Sequence, residues 1–224
     1  MWAIFTAIAI VVGLVAPQSA DANILCKWFG RCFYESPGFR IRVVDKETGQ
    51  PLADIHALAE WVSYAVGREN GPQMVQDAIS GADGMLVFQA WGPMRGYRDG
   101  LVLNSDPVIT LFKPGYRTAT LNNAFPIGAG ETDRVHGFQQ DGQTFALEPF
   151  RGTPDEWIEQ LRHVGDGRAF PRGEDDNRKF RDPYLNRLRR VWAERDKVPE
   201  RHRVRPGFFW AVEEEVRALE ALQR

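Results

Sequence analysis

The fold class of this chain follows from residues 39–52, which read FRIRVVDKETGQPL. Apolar and basic residues alternate from Phe39 to Val43, which is the two-residue period of a half-buried strand. The polar run that follows, Asp45 to Pro51, contains both glycine and proline and is typical of a turn. The stretch therefore predicts a short strand closed by a turn.

The same alternation of strand and turn signals continues along the middle of the chain. Further extended segments are predicted at residues 55–65, 74–80, 85–89, 108–112, 117–121 and 144–147. In the first of them, alternation places Ile55, Ala57, Ala59 and Trp61 on one side. A loop is expected over 67–72, and Asp83-Gly84 is a strong hairpin signal. Residues 91–106 are rich in glycine and aromatic residues and show no clear period. About seven short strands at regular spacing predict a mainly β chain built as a β-sandwich.

Three motifs occur in order within this region. They are Val43-Val44-Asp45-x-x-Thr48-Gly49-x-Pro51-Leu52, Asp83-Gly84-Met85-Leu86-Val87-Phe88, and Pro107-Val108-Ile109-x-Leu111-x-Lys113-Pro114-Gly115-Tyr116. At these spacings the set resembles the carboxypeptidase regulatory-like domain family over about residues 39–150. The resemblance implies a seven-stranded transthyretin-like (prealbumin-like) β-sandwich, also grouped with carbohydrate-binding-like folds. Members of that family are mostly non-catalytic accessory domains of exported or membrane-associated proteins.

The resemblance assigns structural rather than chemical roles to the motif residues. The turn positions that it marks are Gly49, Pro51, Asp83, Gly84, Pro114, Gly115 and Tyr116. Glycine at such positions is expected to adopt positive φ, which costs it no steric strain. Leu52 would close the end of the sandwich, and Tyr116 would pack or hydrogen-bond across the corner that follows Gly115.

Residues 151–224 are predicted to form a C-terminal α-helical extension. Thr153-Pro154-Asp155-Glu156 is a capping box with proline at the first helical position, which is a specific helix start. Apolar residues then recur at helical spacing in three groups: Trp157, Ile158, Leu161 and Val164; Leu185, Leu188, Val191 and Trp192; Phe209, Val212, Val216 and Leu219. These stripes predict packing on the sandwich or on each other, and a partner-binding face is the alternative.

The first 22 residues are expected to be a secretory signal peptide. Residues 2–16 are apolar or small except Thr6, and Ala20-Asp21-Ala22 follows as a cleavage site. The apolar run ends at Pro17, short of the roughly 20 residues that a membrane span needs. No basic residue precedes the run, so a retained anchor and a buried N-terminal segment are the alternatives. The expected location is periplasmic or secreted, with membrane association only if this segment is retained.

Residues 23–38 form an N-terminal segment that contains both cysteines, Cys26 and Cys32. An oxidising compartment favours a short-range disulfide between them. Two free thiols, or a lipid attached to Cys26, are the alternatives. The pair lacks the spacing of a metal site.

The overall composition excludes several classes of protein. The chain has 224 residues, of which 43% are hydrophobic, enough to build a core and to exclude a wholly disordered protein. Its 28 basic and 30 acidic residues give a net charge of −2, and the region from Pro149 onward is nearly balanced. Nucleic-acid binding requires uncompensated positive charge, so no nucleic-acid partner is expected.

No catalytic residue, metal site or cofactor is predicted. The four histidines, His56, His136, His163 and His202, are far apart in the sequence and have no metal-ligand spacing. His56 alternates with the apolar positions of its strand, so its side chain is expected to face solvent. No Gly-x-Ser-x-Gly nucleophile motif is present. A hydrolase with an unrecognised site would need at least two of a small set of residues to converge: His56, His136, Glu174 and Asp176.

Three functional hypotheses follow from these observations. The leading one is an exported non-catalytic β-sandwich that binds or scaffolds an envelope or extracellular protein partner. The second is a carbohydrate-binding module for an envelope polysaccharide, with aromatic residues that stack on sugar rings: Trp61, Tyr64, Trp91 and Tyr97. The alternative for those tryptophans is a place in the core. The third is the hydrolase.

Overall fold

The computed structural model describes residues 33–65, 68–95, 106–123, 137–165 and 178–222. Within these ranges the protein is mainly β, with three sheets followed by helices. Several sequence predictions lie outside the described residues: the signal peptide over 1–22, Cys26, Cys32, Tyr97, His136, Glu174 and Asp176.

The described residues contain nine strands, two more than the seven predicted. They are β1 Phe33–Ser36, β2 Phe39–Asp45, β3 His56–Ala65, β4 Arg68–Ile79, β5 Met85–Phe88, β6 Trp91–Arg95, β7 Pro107–Phe112, β8 Ala119–Leu121 and β9 Thr144–Leu147. The sheet orders are β1-β6, β5-β2-β9 and β4-β3-β7-β8. Neighbouring strands are antiparallel except β2 and β9, which are parallel.

The two additional strands, β1 and β6, pair only with each other and form a separate sheet. Their sequences lack the alternation of apolar and polar residues that marked the other strands. The loop predicted over 67–72 is wrong for the part that the structure describes, residues 68–72, because β4 begins at Arg68. The pairing of β3 with β4 continues beyond two register shifts as far as Ala65, which lies opposite Arg68. Glycine and proline in that segment therefore sit within an irregular strand pair.

The three-stranded and four-stranded sheets enclose the first hydrophobic core. Phe39 of β2 and Phe88 of β5 stack there with ring centroids 4.7 Å apart. The buried residues of this core are Phe39, Ile41, Val43, Leu52, Ile55, Ala57, Ala59, Trp61, Leu86, Phe88, Trp91, Ile109, Leu111, Phe138 and Leu147. The predicted alignment of Ile55, Ala57, Ala59 and Trp61 on one side of the chain is confirmed, with Ile55 just before β3 and the other three on it. Leu52 also enters this core, as expected.

Hydrogen bonds join the two sheets along both sides. On one side the Gln76 side-chain amide donates to the Gln89 carbonyl at 3.0 Å and accepts from the Gln89 N–H at 2.9 Å. On the other side the Arg117 N–H donates to the Glu148 carbonyl at 2.8 Å. These contacts occupy backbone groups that an open sheet edge would present to solvent.

Within the described ranges, three α-helices follow the strands: α1 Pro154–Gly165, α2 Arg181–Trp192 and α3 Phe208–Ala221. The predicted capping box is confirmed at the start of α1. The Thr153 N–H donates to Glu156 Oε2 at 2.7 Å, and the Glu156 N–H donates to Thr153 Oγ1 at 3.2 Å. Short 3₁₀ turns over Arg195–Lys197 and Glu200–His202 connect α2 to α3.

The helices pack on the outer face of the four-stranded sheet and form a third layer. Leu58, Val75 and Phe112 of the sheet share a second hydrophobic core with apolar residues of all three helices. The prediction that the helical stripes pack on the sandwich or on each other is therefore confirmed, and within this core they do both. Between His56 and Val62, strand β3 is consequently buried on both faces. Ala57, Ala59 and Trp61 point into the sandwich core, and Leu58 points toward the helices.

The first and third sequence motifs meet at one corner of the sandwich. Asp45 Oδ1 accepts hydrogen bonds from the Glu47 and Thr48 N–H groups, both at 2.8 Å. The Tyr116 hydroxyl donates to Asp45 Oδ2 at 2.8 Å, which confirms the expected bond across the corner. The Thr48 N–H and then the Tyr116 hydroxyl hold the pKa of the Asp45 carboxyl below its ordinary value.

Positive φ angles occur at the expected glycines, with values of 69° at Gly49, 73° at Gly84 and 81° at Gly115. The requirement is most stringent at Gly84, because a Cβ atom there would overlap the Val43 carbonyl oxygen. The turn that begins β5 therefore depends on glycine for both its backbone angle and its clearance.

We expect Tyr116→Phe to lower the free energy of unfolding by about 1 kcal/mol at neutral pH, the usual contribution of one hydrogen bond. Because the Asp45 pKa is depressed in the folded state, the contribution of the ionised carboxyl is present above the unfolded pKa. It is lost as the pH falls through the folded pKa. Urea denaturation of the single and double variants with Asp45→Asn measures the coupling. If the double variant lost the sum of the two single losses in unfolding free energy, the two side chains would be uncoupled, which would contradict the Tyr116–Asp45 bond.

Candidate functional site

Titratable and polar side chains collect between the four-stranded sheet and helix α2. We call this group the interlayer cluster, and it consists of His56 and Glu60 of β3, Asp77 of β4, and Tyr184, Asn186, Arg187 and Arg190 of α2. The even-numbered positions of β3 place His56 and Glu60 beneath the helix. At this place polar side chains, rather than apolar ones, fill the space between sheet and helix.

His56 and Asp77 form the most enclosed pair of the cluster. The His56 side chain has no exposed surface, and its Nε2 lies 3.3 Å from Asp77 Oδ2. Asp77 Oδ2 also accepts a hydrogen bond from Asn186 Nδ2 at 3.0 Å. The prediction that His56 faces solvent is wrong, because the helical layer covers the face of β3 that the alternation assigned to water.

Electrostatics favour a neutral His56 beside an ionised Asp77. Burial is the main cause that lowers the pKa of His56; the Asp77 hydrogen bond opposes it, and the charges of Arg187 and Arg190 reinforce it. Burial alone would raise the pKa of Asp77, but hydrogen bonds from His56 and Asn186 outweigh it and the pKa lies below its ordinary value. An ionised carboxylate can only accept, so the His56 Nε2 carries the proton.

Glu60, Tyr184 and Arg187 form the second part of the cluster. The Tyr184 hydroxyl donates to Glu60 Oε1 at 3.0 Å, and Arg187 Nη2 donates to the Thr110 carbonyl of β7 at 3.3 Å. Burial lowers the pKa of the Arg187 guanidinium to about 10, with the charge of Glu60 as the largest opposing influence. Arg187 therefore remains protonated at neutral pH, inside the protein and near a buried carboxylate.

The cluster continues to the protein surface at Arg190. Its Nη2 lies 3.0 Å from Asp54 Oδ1, which precedes β3. The described polar contacts thus run from the covered ring of His56 to a half-exposed ion pair. Three of these contacts join α2 directly to the sheet: Tyr184 to Glu60, Asn186 to Asp77, and Arg187 to the Thr110 carbonyl. They fix the position of α2 on the sandwich. Replacing a whole buried ionic arrangement by apolar groups is often neutral for stability, whereas removing one of its charges is costly.

A His–Asp pair is also part of many hydrolytic sites. Here, however, the His56 ring is fully covered by protein, and a general base must come within hydrogen-bond distance of the substrate proton. Of the four residues of the hydrolase hypothesis, His56 alone lies within the described residues. The geometry of His56 fits a structural contact between layers.

The aromatic residues proposed to stack on sugars lie elsewhere. Trp61 is 0% exposed and Trp91 is 7% exposed, and their rings meet edge to face with centroids 5.6 Å apart. The prediction of a stacking role is wrong for both, because a ring must expose a face to stack on a sugar. They take the core role that was the alternative. Tyr64 lies in β3, and its side chain is outside the described part of the structure.

An exposed surface is present on the opposite side of the sandwich. We call it the open face, the outer surface of the three-stranded sheet, and it is formed by Arg40 and Arg42 of β2, Val87 of β5, and Thr144 and Ala146 of β9. Arg40 lies opposite Val87, and Arg42 lies opposite Thr144. Sequence reasoning identified the alternation that creates this face but did not assign it a role.

The arginines of the open face have little internal compensation. Neither Arg40 nor Arg42 forms a side-chain salt bridge within the described ranges. Arg42 Nε donates to the Asp83 carbonyl at 3.2 Å, and the carboxylate beside β2, that of Asp141, accepts from the Arg40 backbone N–H at 2.8 Å. Val87 is 54% exposed, among the most exposed large apolar side chains of the described chain. The face therefore combines positive charge with apolar surface.

Two kinds of feature are absent from the described ranges. No group of three or more histidine, cysteine, aspartate or glutamate side chains is arranged to hold a metal ion there. No described helix combines the length and the apolar character needed to cross a membrane.

Comparisons with known proteins leave the family open. No protein-family model matches the chain, and no curated protein matches it. Among solved structures, it is similar to 3-chlorocatechol 1,2-dioxygenase from Rhodococcus opacus 1CP, with 17% identity, 52% of this chain and 60% of that chain covered, and a TM-score of 0.33. It is also similar to a 9R-lipoxygenase from Cyanothece PCC8801, with 13% identity, 86% and 25% covered, and a TM-score of 0.26. Likenesses this weak carry no argument about fold or activity.

Proposed function

We propose that this chain is an exported, non-catalytic β-sandwich module that binds or scaffolds a protein partner in the cell envelope or extracellular space. We include in the proposal a transthyretin-like sandwich of the carboxypeptidase regulatory-like kind. The supporting observation for the fold is the Asp45–Tyr116 bond, which joins the first and third motifs at one corner. The apolar N-terminal segment of the sequence supports export.

The observation that carries the binding role is the open face. Arg40 and Arg42 are two residues apart on one strand, so their side chains leave the sheet about 7 Å apart on the same side. Val87 and Ala146 add apolar surface on the neighbouring strands. Charge complementarity favours a partner surface with acidic side chains beside an apolar patch.

Photo-crosslinking in the native envelope tests this role. A photoreactive amino acid at position 87 is expected to cross-link a discrete partner, because Val87 lies within the open face. Ile79 is a matched control position: it is 52% exposed, against 54% for Val87, but lies on β4 of the other sheet. The same group at position 79 is expected to give no such product.

Reversing the charges of the open face should remove the product. Arg40→Glu combined with Arg42→Glu is expected to lower the cross-linking yield at position 87 at least tenfold, because like charges would then face the acidic partner. A parallel double reversal, Arg189→Glu with Arg217→Glu, makes the same change in net charge on the helices and should leave the yield intact. Equal yields at positions 79 and 87, or no loss in the open-face variant, would contradict the proposal.

A further inference from the structure

His56 is enclosed by groups from every element packed against it. Asp77 of β4 accepts its hydrogen bond, and Arg187 and Arg190 of α2 bring positive charge to it. The other charged groups near the ring are Glu60, four residues further along β3, and Asp54, which is paired with Arg190. From β7, the directly opposite residue is the uncharged Phe112.

A second proton on the ring has no favourable place in this environment. The Nδ1 atom is buried and has no hydrogen-bond partner among the described residues, so an N–H there would lack an acceptor. The charged ring would also lie near two guanidinium groups. The Asp77 carboxylate could compensate the added charge, but the oxygen that faces His56, Oδ2, also accepts a hydrogen bond from Asn186.

Contact with water would give the Nδ1–H an acceptor and would screen the charged ring from the two guanidinium groups. Helix α2 covers the ring, so water can reach it only when the helix moves away. The side chain of Asp77 is 19% exposed, so the pair lies close to the protein surface and protons can reach it when the layers separate. We propose that the interlayer cluster is an acid-sensitive latch, in which protonation of His56 releases helix α2 from the four-stranded sheet. The latch is independent of the proposed binding role, because the open face lies on the other sheet.

The direction of the effect follows from the depressed pKa of His56. Near neutral pH the ring is neutral in both the closed and the released states, and the closed state prevails. As the pH falls below about 6.5, the ordinary histidine pKa, the released state binds a proton that the closed state does not. The released population should rise up to about tenfold per pH unit, until the pH reaches the folded pKa.

Hydrogen–deuterium exchange of the full chain between about pH 7.5 and pH 5 tests the latch, after correction for the intrinsic pH dependence of amide exchange. Peptides from Arg181–Trp192 are expected to lose protection up to about tenfold per pH unit below about 6.5. Peptides from Phe39–Asp45 should keep theirs. His56→Gln retains an N–H donor toward Asp77 but cannot titrate, so its helix protection should not depend on pH.

A second histidine–aspartate pair of the helical layer supplies the control. His202 Nε2 lies 3.0 Å from Asp155 Oδ1, and His202→Gln should keep the wild-type pH dependence. A pH dependence that persists in His56→Gln, or a loss of protection shared equally by β2, would overturn the proposal. If His56→Gln does not fold, the wild-type profile decides: acceleration confined to the helices supports the latch, and its absence overturns it.

Discussion

Arg187→Ala is expected to lower the free energy of unfolding by about 3–5 kcal/mol, the usual cost when removal of one buried charge leaves another uncompensated. Arg187 is 2% exposed, and Glu60, whose charge favours the protonated guanidinium, is 4% exposed. The substitution leaves a buried carboxylate without that compensation and also removes a donor to the Thr110 carbonyl. Urea denaturation at neutral pH, followed by circular dichroism, measures the loss.

Two variants make this result specific to the interlayer cluster. Arg189→Ala, two positions along the same helix, removes an exposed arginine paired with Glu220 and should cost less than about 1 kcal/mol. Arg187→Met combined with Glu60→Gln removes both charges while leaving Tyr184 an acceptor, and should recover most of the lost stability. Similar small losses for Arg187→Ala and Arg189→Ala would show that the cluster does not join the layers.

Trp61→Ala is the second substitution for which a large effect is expected, a loss of about 3–5 kcal/mol. The indole is fully buried between the sheets and contacts the rings of Phe39 and Trp91, with centroids 6.1 Å and 5.6 Å away. Removing it leaves a cavity that the surrounding strands can fill only in part. Urea denaturation again provides the measurement.

Trp210→Ala is the matched control for Trp61→Ala. Trp210 lies on α3, is only half-buried, and stacks beneath the Arg205 guanidinium 4.9 Å from its ring centre. Its removal should therefore cost much less. A Trp61→Ala protein that kept wild-type stability but lost binding to polysaccharides would contradict the core role and restore the sugar-stacking hypothesis.

The sandwich could be predicted from local sequence because its signals are local. Alternation placed Ala57, Ala59 and Trp61 on one side of β3, and the capping box fixed the first residue of α1. The Tyr116 contact followed from the motif resemblance. Strands β1 and β6 escaped prediction because they pair with each other and lack the alternation of a half-buried strand.

The interlayer cluster could not be predicted, for a different physical reason. A two-residue period divides β3 into two faces but does not say whether the second face meets water or another layer. The tyrosine that contacts Glu60 lies 124 residues further along the chain, so no local pattern indicates the pair. For this reason the sequence pattern assigned the His56 side chain to solvent. The open face, by contrast, is readable in the alternation of Arg40 and Arg42 with apolar residues.

The helices form a third layer that covers the polar face of β3, and an NMR titration of the His56 ring tests this arrangement most directly. Correlations between ring nitrogens and carbon-bound ring protons report the tautomer, the pKa and the protonation state of each histidine. We predict a neutral His56 ring with its proton on Nε2 at neutral pH and a pKa below about 6.5. A ring that titrates at the ordinary value, with both nitrogens open to solvent, would contradict the covered face and the cluster built on it.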